Sequence, residues 1–445
     1  MKCLPASKIF SANGIVLHDS HAEVLAIRAF NRFLIDECSD LAARGFSQSQ
    51  DGSAFVKWKN RSSKSLNPLP SSADLGTRSS DYFSIERKHP TCFLTTGEQN
   101  WDVSSNVAPD SQDDIAWQSQ SFAIQEDVQI HMYTSEAPCG DCSMELTMAA
   151  QTDATPWTLP SSSTDVSVLS DTSPYAGRGL TPSSLFPGLQ QQPLASHPEA
   201  GLTEQSTVMR GRGYFSELGV VRMKPSRSDA PITLSKSCSD KLARKQCTSL
   251  LSSLTSLLIN PAEAYLSTLI LPESQYVPSA CTRAFQPTGR LAPIACNTEM
   301  AQRWQATGYQ WKPFDVRTTS REFEYSRRSG PQCAKLVPSN LSCVWTARFQ
   351  GALIGGVLQG RRSEPVPDPR GASSVCRRRM WQAVSDVAES LAEPALITTT
   401  RKRSYSEVKK DGCFGGREGV KRDLKVAALP GWIDNVGDEQ WGLAR

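Results

Sequence analysis

The chain has 445 residues, 39% of them hydrophobic and 21% charged, and 48 Lys and Arg against 45 Asp and Glu leave a net charge of +3. This is the profile of a soluble globular chain diluted by polar segments, long enough to bury a large core, and a net charge so small does not argue for a nucleic-acid partner by itself. No stretch reaches the ~18–20 continuous apolar residues of a membrane span, and Met1-Lys2-Cys3-Leu4-Pro5 does not open a signal peptide, so no membrane partner is expected. The 13 cysteines lack the regular spacing of a secreted disulfide scaffold. A reducing, intracellular setting, cytoplasmic or nuclear, is therefore expected, in which a chemically special cysteine serves as a metal ligand.

In chain order, apolar residues between His21 and Glu37 fall at Ala22, Leu25/Ala26, Ala29/Phe30 and Phe33/Leu34, one stripe of a helix. Residues 47–120 are polar and mixed, with Asn67-Pro68-Leu69-Pro70-Ser71-Ser72 near their middle, and read as a mostly disordered insertion. Val128, Ile130 and Met132 alternate with Gln129, His131 and Tyr133, which predicts a strand. Pro138 then opens a predicted helix through Met144 and Met148. Residues 152–207, rich in Ser and Pro and carrying Gln190-Gln191-Gln192, read as a second insertion of low complexity. A third helix is predicted from Asp240 to Ile259, with Leu242, Leu250/Leu251, Leu254 and Leu257/Leu258 inside, and an irregular stretch from about Pro287 to Pro331. The alternation predicts an α/β sandwich: a central mixed sheet with helices on both faces, interrupted by long disordered insertions.

Basic residues cluster between Arg222 and Lys245, Arg361 and Arg379, and Arg401 and Lys425. Such clusters are either a footprint for phosphate or ordinary solvated surface.

Three islands carry the chemistry: His21-Ala22-Glu23, Pro138-Cys139-Gly140-Asp141-Cys142 and Ser237-Cys238-Ser239-Asp240-Lys241. His-x-Glu ahead of a Pro-Cys turn is the signature of zinc deaminases. A neutral imidazole and two thiolates hold Zn²⁺ and leave a fourth position for water, which the metal makes nucleophilic near neutral pH. Glu23 is the candidate catalytic acid/base, moving the proton from water to the base and on to the leaving ammonia. By generic spacing the ligands are His21, Cys139 and Cys142.

The stretches HDSHAEVLAIRAFNRFL, HMYTSEAPCGDCSMEL and KPSRSDAPITLSKSCSDKLARKQ resemble the adenosine-deaminase domain shared by eukaryotic tRNA adenosine deaminases and the RNA editors, as do VPSNLSCVWTA, SYSEVK and GWIDN. The spacing and the SEAPCGD wording are more similar to the tRNA branch, especially its fungal members. The resemblance implies a cytidine-deaminase-like sandwich and hydrolytic deamination of adenosine to inosine in tRNA, at the adenosine just 3′ of the alanine anticodon, by a monomer. The alternative is an inactive RNA-binding relative in which the ligands only hold the fold. The resemblance also implies His21, Cys139 and Cys238 as the zinc ligands, and a buried inositol hexakisphosphate. Its candidate contacts are Lys241, Arg244, Ser253, Arg361, Tyr405, Lys409, Lys421 and Trp432, while Lys224 and Arg227 would hold RNA phosphate. Family members carry a helix, a strand and a Gly-rich turn before the pair matching Lys2-Cys3. Residues 1–445 are thus expected to form one deaminase domain, N-terminally incomplete.

Overall fold

The computed structural model describes residues 3–46, 52–59, 120–151, 209–225, 230–330 and 339–443. Its helices are α1 (Ala22–Arg44), α2 (Met144–Ala149), α3 (Cys238–Thr248), α4 (Pro278–Phe285), α5 (Ala292–Ala295), α6 (Thr298–Ala306), α7 (Arg377–Leu391), α8 (Pro394–Thr400), α9 (Tyr405–Lys409) and α10 (Gly415–Ala427). The strands are β1 (Val56–Trp58), β2 (Phe122–Ile124), β3 (Ile130–Tyr133), β4 (Met209–Arg210), β5 (Arg222–Met223), β6 (Leu266–Pro272), β7 (Asp315–Thr319), β8 (Leu341–Trp345), β9 (Gln350–Ile354) and β10 (Val357–Leu358). None of these helices is long and apolar enough to cross a membrane.

The fold is mixed α/β, but the sheet differs from the single mixed one expected. At its centre β6 lies between β3 and β7, both parallel to it. The pairs β1–β2 and β8–β9–β10 form separate antiparallel sheets, and β4–β5 a short parallel one. Strand β6 is apolar on both faces, with Leu266, Leu269 and Leu271 all buried, as a strand covered by helices on each side must be. Around it Leu242, Phe285, Trp304, Phe314 and Leu424 close one core cluster. A second joins α1 to β1, β2 and α7 through Leu34, Ile35, Trp58, Phe122 and Trp381.

Local differences from expectation have local causes. The first helix runs to Arg44, stopped by Gly45 at φ 73. Past Pro138 the chain makes a 3-10 turn, Asp141–Ser143, before the short α2, because Gly140 at φ 103 cannot begin a helix. The Leu stripe beyond Asp240 is not one helix: α3 ends at Thr248, and Ser249 turns left-handed at φ 56. Downstream, Ser252 Oγ accepts from Thr255 N at 3.1 Å, the backbone-competing bond that hydroxyl residues favour over a helix. Residues 52–59, inside the first expected insertion, contain β1, with Val56 and Trp58 buried against β2. Apart from Gln120, the rest of that insertion and all of the second lie outside the described residues. The stretch expected to be irregular carries α5, α6 and β7.

The C-terminal segment folds back onto the N-terminal one. Trp441 stacks on Tyr405, centroids 4.9 Å apart and planes at 9°, and fills the space over Gly14. Asp438 accepts from the Gly14 amide at 2.9 Å, bonds His18 Nε2 at 2.9 Å and pairs with Arg377 at 2.8 Å.

Candidate functional site

The three sequence islands meet at the ends of helices. His21 is the N-cap of α1 and Cys238 the first residue of α3, whose cap Ser237 Oγ accepts from Asp240 N at 3.1 Å. The helix N-terminus expected beside Cys139 thus belongs to Cys238 instead. Cys139 lies in the turn pressed against it: Cys238 N donates to Cys139 Sγ at 3.4 Å, and Ser239 Oγ to Pro138 O at 2.9 Å. A Cβ on Gly140 would stand 2.3 Å from Ser237 Oγ, so only glycine lets the two segments meet this closely.

The two sulfurs share one environment. Cys238, hydrogen-bonded to it, pushes the Cys139 thiol down to about 6, and Lys224 and His21 act in the same direction. The Cys238 thiol is driven up by Cys139 and by burial, so the pair favours one thiolate. Lys224 Nζ, itself buried, donates to Cys238 Sγ at 3.2 Å and to Asp19 Oδ2 at 2.8 Å, and Lys241 also pairs with Asp19. The ammonium therefore adds positive charge where the thiolate sits. Glu23, in the first turn of α1, acts on both sulfurs with the opposite sign.

His21 and Cys139 line one cavity of about 260 Å³, with Cys3, Met144 and Thr147. The ring of His21 turns Nδ1 to Asp19 Oδ1 at 2.8 Å, with Cys3 Sγ at 3.6 Å. Among the described residues the donors that lie within 4.8 Å of one another are Cys3, Asp19 and His21. Cys139 and Cys238 are thus in contact and His21 lines the same cavity as Cys139. The donors close enough together to hold an ion as placed, however, are Cys3, Asp19 and His21 rather than the expected His21, Cys139 and Cys238. Paired thiols favouring one thiolate, with an imidazole and a carboxylate beside them, suit a borderline-soft divalent ion such as zinc. Cys142, the ligand suggested by spacing, packs instead in the core with its Sγ 3.7 Å from Cys281 Sγ, and Cys281 and burial hold its thiol well up.

Behind Cys238 and Glu23 lies a second cavity of about 320 Å³. Lys241, Arg244, Ser253, Tyr405, Lys409, Lys421 and Trp432 come together to line it. Arg361 does not: it is exposed, 3.7 Å from Asp368, because its loop belongs to the β8–β10 side of the molecule. Lys224 is likewise misassigned as a surface phosphate contact, since burial and its bonds to Asp19 and Cys238 keep it from the exterior. Arg227 lies outside the described residues.

Lys236, Lys245, Arg377 and Arg417 also line this cavity and were missed. Helical spacing could have found two of them. Lys245 stands one turn after Lys241 on α3, and Arg417 one turn before Lys421 on α10. Burial and mutual repulsion hold these cations down: Lys245 well below its ordinary value, Lys421 to about 6, Lys236 to about 7 and Lys409 to about 8. Arg244, stacked on Trp432 at 4.3 Å, is lowered to about 10. The buried Nε atoms of Arg244 and Arg417 have no hydrogen-bond partner among the described residues. A concentration of buried, under-neutralised donors of this kind matches a dense polyanion.

The chain is similar to known proteins along almost its whole length. The family profile described as "Adenosine-deaminase (editase) domain" matches residues 1–69 and 103–435. The protein named "tRNA-specific adenosine deaminase 1" of Schizosaccharomyces pombe is 28% identical over 446 residues, covering 99% of this chain and 82% of that protein. Its namesake in Mus musculus is 24% identical over 461 residues, 98% of this chain and 85% of that one. In Saccharomyces cerevisiae the identity is 25% over 272 residues, 61% and 44% of the two chains.

Proposed function

Since this chain belongs to the adenosine-deaminase (editase) domain family, we propose that it converts adenosine to inosine in tRNA, by hydrolysis at C6 of a base drawn out of its stack. The parallel sheet with α3 and α4 against it is the core of a cytidine-deaminase-like sandwich on this reading. The observation that carries it is the meeting of Cys139 and Cys238, 99 residues apart, beside His21 and Glu23. His21, Cys139 and Cys238 would hold a zinc ion, which when bound supplies a nucleophilic water near neutral pH.

The chain's own residues do the rest. Lys224 keeps negative charge favourable on the Cys238 sulfur, and Asp19 orients the His21 ring. Glu23 takes a proton from the attacking water and delivers it to N1 of the purine, then moves the remaining hydroxyl proton to the exocyclic amine, which leaves as ammonia. The cavity beside Cys139 receives the base. The relatives' name supports tRNA, and kinship to the tRNA branch favours the adenosine just 3′ of the alanine anticodon. The cation-lined cavity holds inositol hexakisphosphate, whose phosphates offset charges that burial alone would neutralise.

The test is an assay for inosine in transcribed alanine tRNA, read by mass spectrometry of its nucleosides. Glu23→Gln should keep about one zinc per chain while turnover drops by roughly 10²–10⁴. Substantial residual activity would remove Glu23 from the role. Zinc-loaded wild type that makes no inosine would instead be an inactive RNA-binding relative.

A further inference from the structure

The cavity that holds His21 and Cys139 contains cations of two kinds. Arg222 and Lys224 are buried and committed: the Arg222 guanidinium donates to the carbonyls of Gly211 at 3.1 Å, Gly213 at 2.8 Å and Tyr214 at 3.1 Å. Those bonds wrap a tight turn in which Gly213 N also donates to Arg210 O at 2.7 Å. The residue that this turn presents to the cavity is Arg212. It is half-buried, and its guanidinium donates to the neutral amide oxygen of Gln151 at the end of α2. Gln151 is itself tied to Thr147 O at 3.1 Å, and Thr147 lines the same wall.

We propose that Arg212 is a specificity-determining residue that binds a phosphate of the nucleotide whose base enters this cavity. The inference rests on the reading of the site as an RNA adenosine deaminase. A volume of about 260 Å³ lies below the roughly 300–1,000 Å³ of pockets for drug-sized ligands, so a base fits while its ribose phosphates stay at the mouth. There a guanidinium can take two phosphate oxygens in parallel. Exchange of the uncharged Gln151 oxygen for anionic phosphate oxygens as acceptor is favourable, and Arg222 holds the turn so that little ordering remains to be done. Free nucleosides, which lack the phosphate, forgo this contact.

The experiment measures affinity of the full-length protein for transcribed alanine tRNA across a series of salt concentrations. Arg212→Ala and Arg212→Gln should each weaken binding roughly tenfold or more at low salt. Each should also flatten the slope of log affinity against log salt by about 0.7–0.9, the signature of one lost phosphate. The Gln variant guards against misfolding, because it keeps a hydrogen-bonding side chain beside Gln151. In turnover, KM should rise more than kcat falls. Unchanged affinity and slope in both variants would overturn the proposal. Binding needs no turnover, so wild type that binds tRNA without making inosine refutes the deamination while the slopes still decide Arg212. Wild type that does not bind tRNA at all overturns both.

Discussion

Cys142 and Cys238 are both buried thiols one contact away from the Cys139 loop, yet their neighbours give them different chemistry. Both face a second sulfur, but Cys238 also accepts from the Lys224 ammonium, whereas Cys142 packs against Cys281 in the core with its thiol held up. Cys238→Ala should therefore lose zinc and Cys142→Ala keep it, which elemental analysis of the two purified variants decides. Emptying of the site by Cys142→Ala would move the ligand. Lys224 has a similar history of position against sequence. Its cluster suggested phosphate binding, but the partner that fixes its role, Asp19, is 205 residues away. Lys224→Ala should cost about 3–5 kcal/mol in urea denaturation, because it strips a buried carboxylate of a partner. A stable variant whose only change is a smaller salt slope for RNA would restore the surface role. Ligand types at short spacing were thus legible in the sequence, while pairings made across the fold were not.

At the scale of elements, the stripe of α1 was readable because one face of an unbroken helix packs on the β1–β2 sheet and α7. The stretch after Asp240 misled because Leu250, Leu254 and Leu258 are buried without a continuous helix to carry them. What ends α3 is again distant: Arg417 donates to Thr248 O at 2.8 Å and Leu251 O at 2.7 Å, and Lys245 to Leu251 O at 2.8 Å. Side chains of the cavity thus occupy carbonyls that a longer helix would have used. Strand β1 was hidden by its length, since the alternation of Val56 and Trp58 is too short to stand out from polar surroundings. The seam between the two ends of the chain depends on Gly14, at φ 68, where a Cβ would lie 2.1 Å from the Trp441 ring. Gly14→Ala should destabilise by about 2–5 kcal/mol, left-handed strain and overpacking together, seen as a lower urea midpoint at unchanged slope. A neutral result would mean that Trp441 yields easily and closes nothing.

The whole molecule is arranged around a cavity that repels its own walls. Lys421, Lys236 and Lys409 are held by burial and by neighbouring cations, Arg244 common to all three, at about 6, 7 and 8, against roughly 10.4 in an unfolded chain. Between those values the unfolded chain binds more protons than the folded one, so stability of ligand-free protein rises with pH across that window. Protein with this cavity empty should melt at a higher temperature at pH 9 than at pH 6. Added inositol hexakisphosphate should raise both melting temperatures and flatten the difference, because phosphate oxygens make the charged lysines favourable. Ligand-free protein that melts higher at pH 6 would contradict the cavity's electrostatics.

Asp438 carries a consequence for biosynthesis. It holds Gly14 and also His18, which lines this cavity, and 424 positions separate it from Gly14. At roughly 5–20 residues per second, a ribosome needs on the order of 20–85 s to make that interval. Through that time the helices bearing Arg28, Lys241 and Lys245 emerge without the segment that seals them in. On the proposed reading, capture of the polyanion falls near the end of translation, and nascent chains halted before Asp438 should fail to retain radiolabelled inositol hexakisphosphate that chains extended past Trp441 keep. A premature stop between Lys245 and Asp438 would yield a chain with Cys139 and Cys238 intact and the buried charge unanswered, a substrate for quality control.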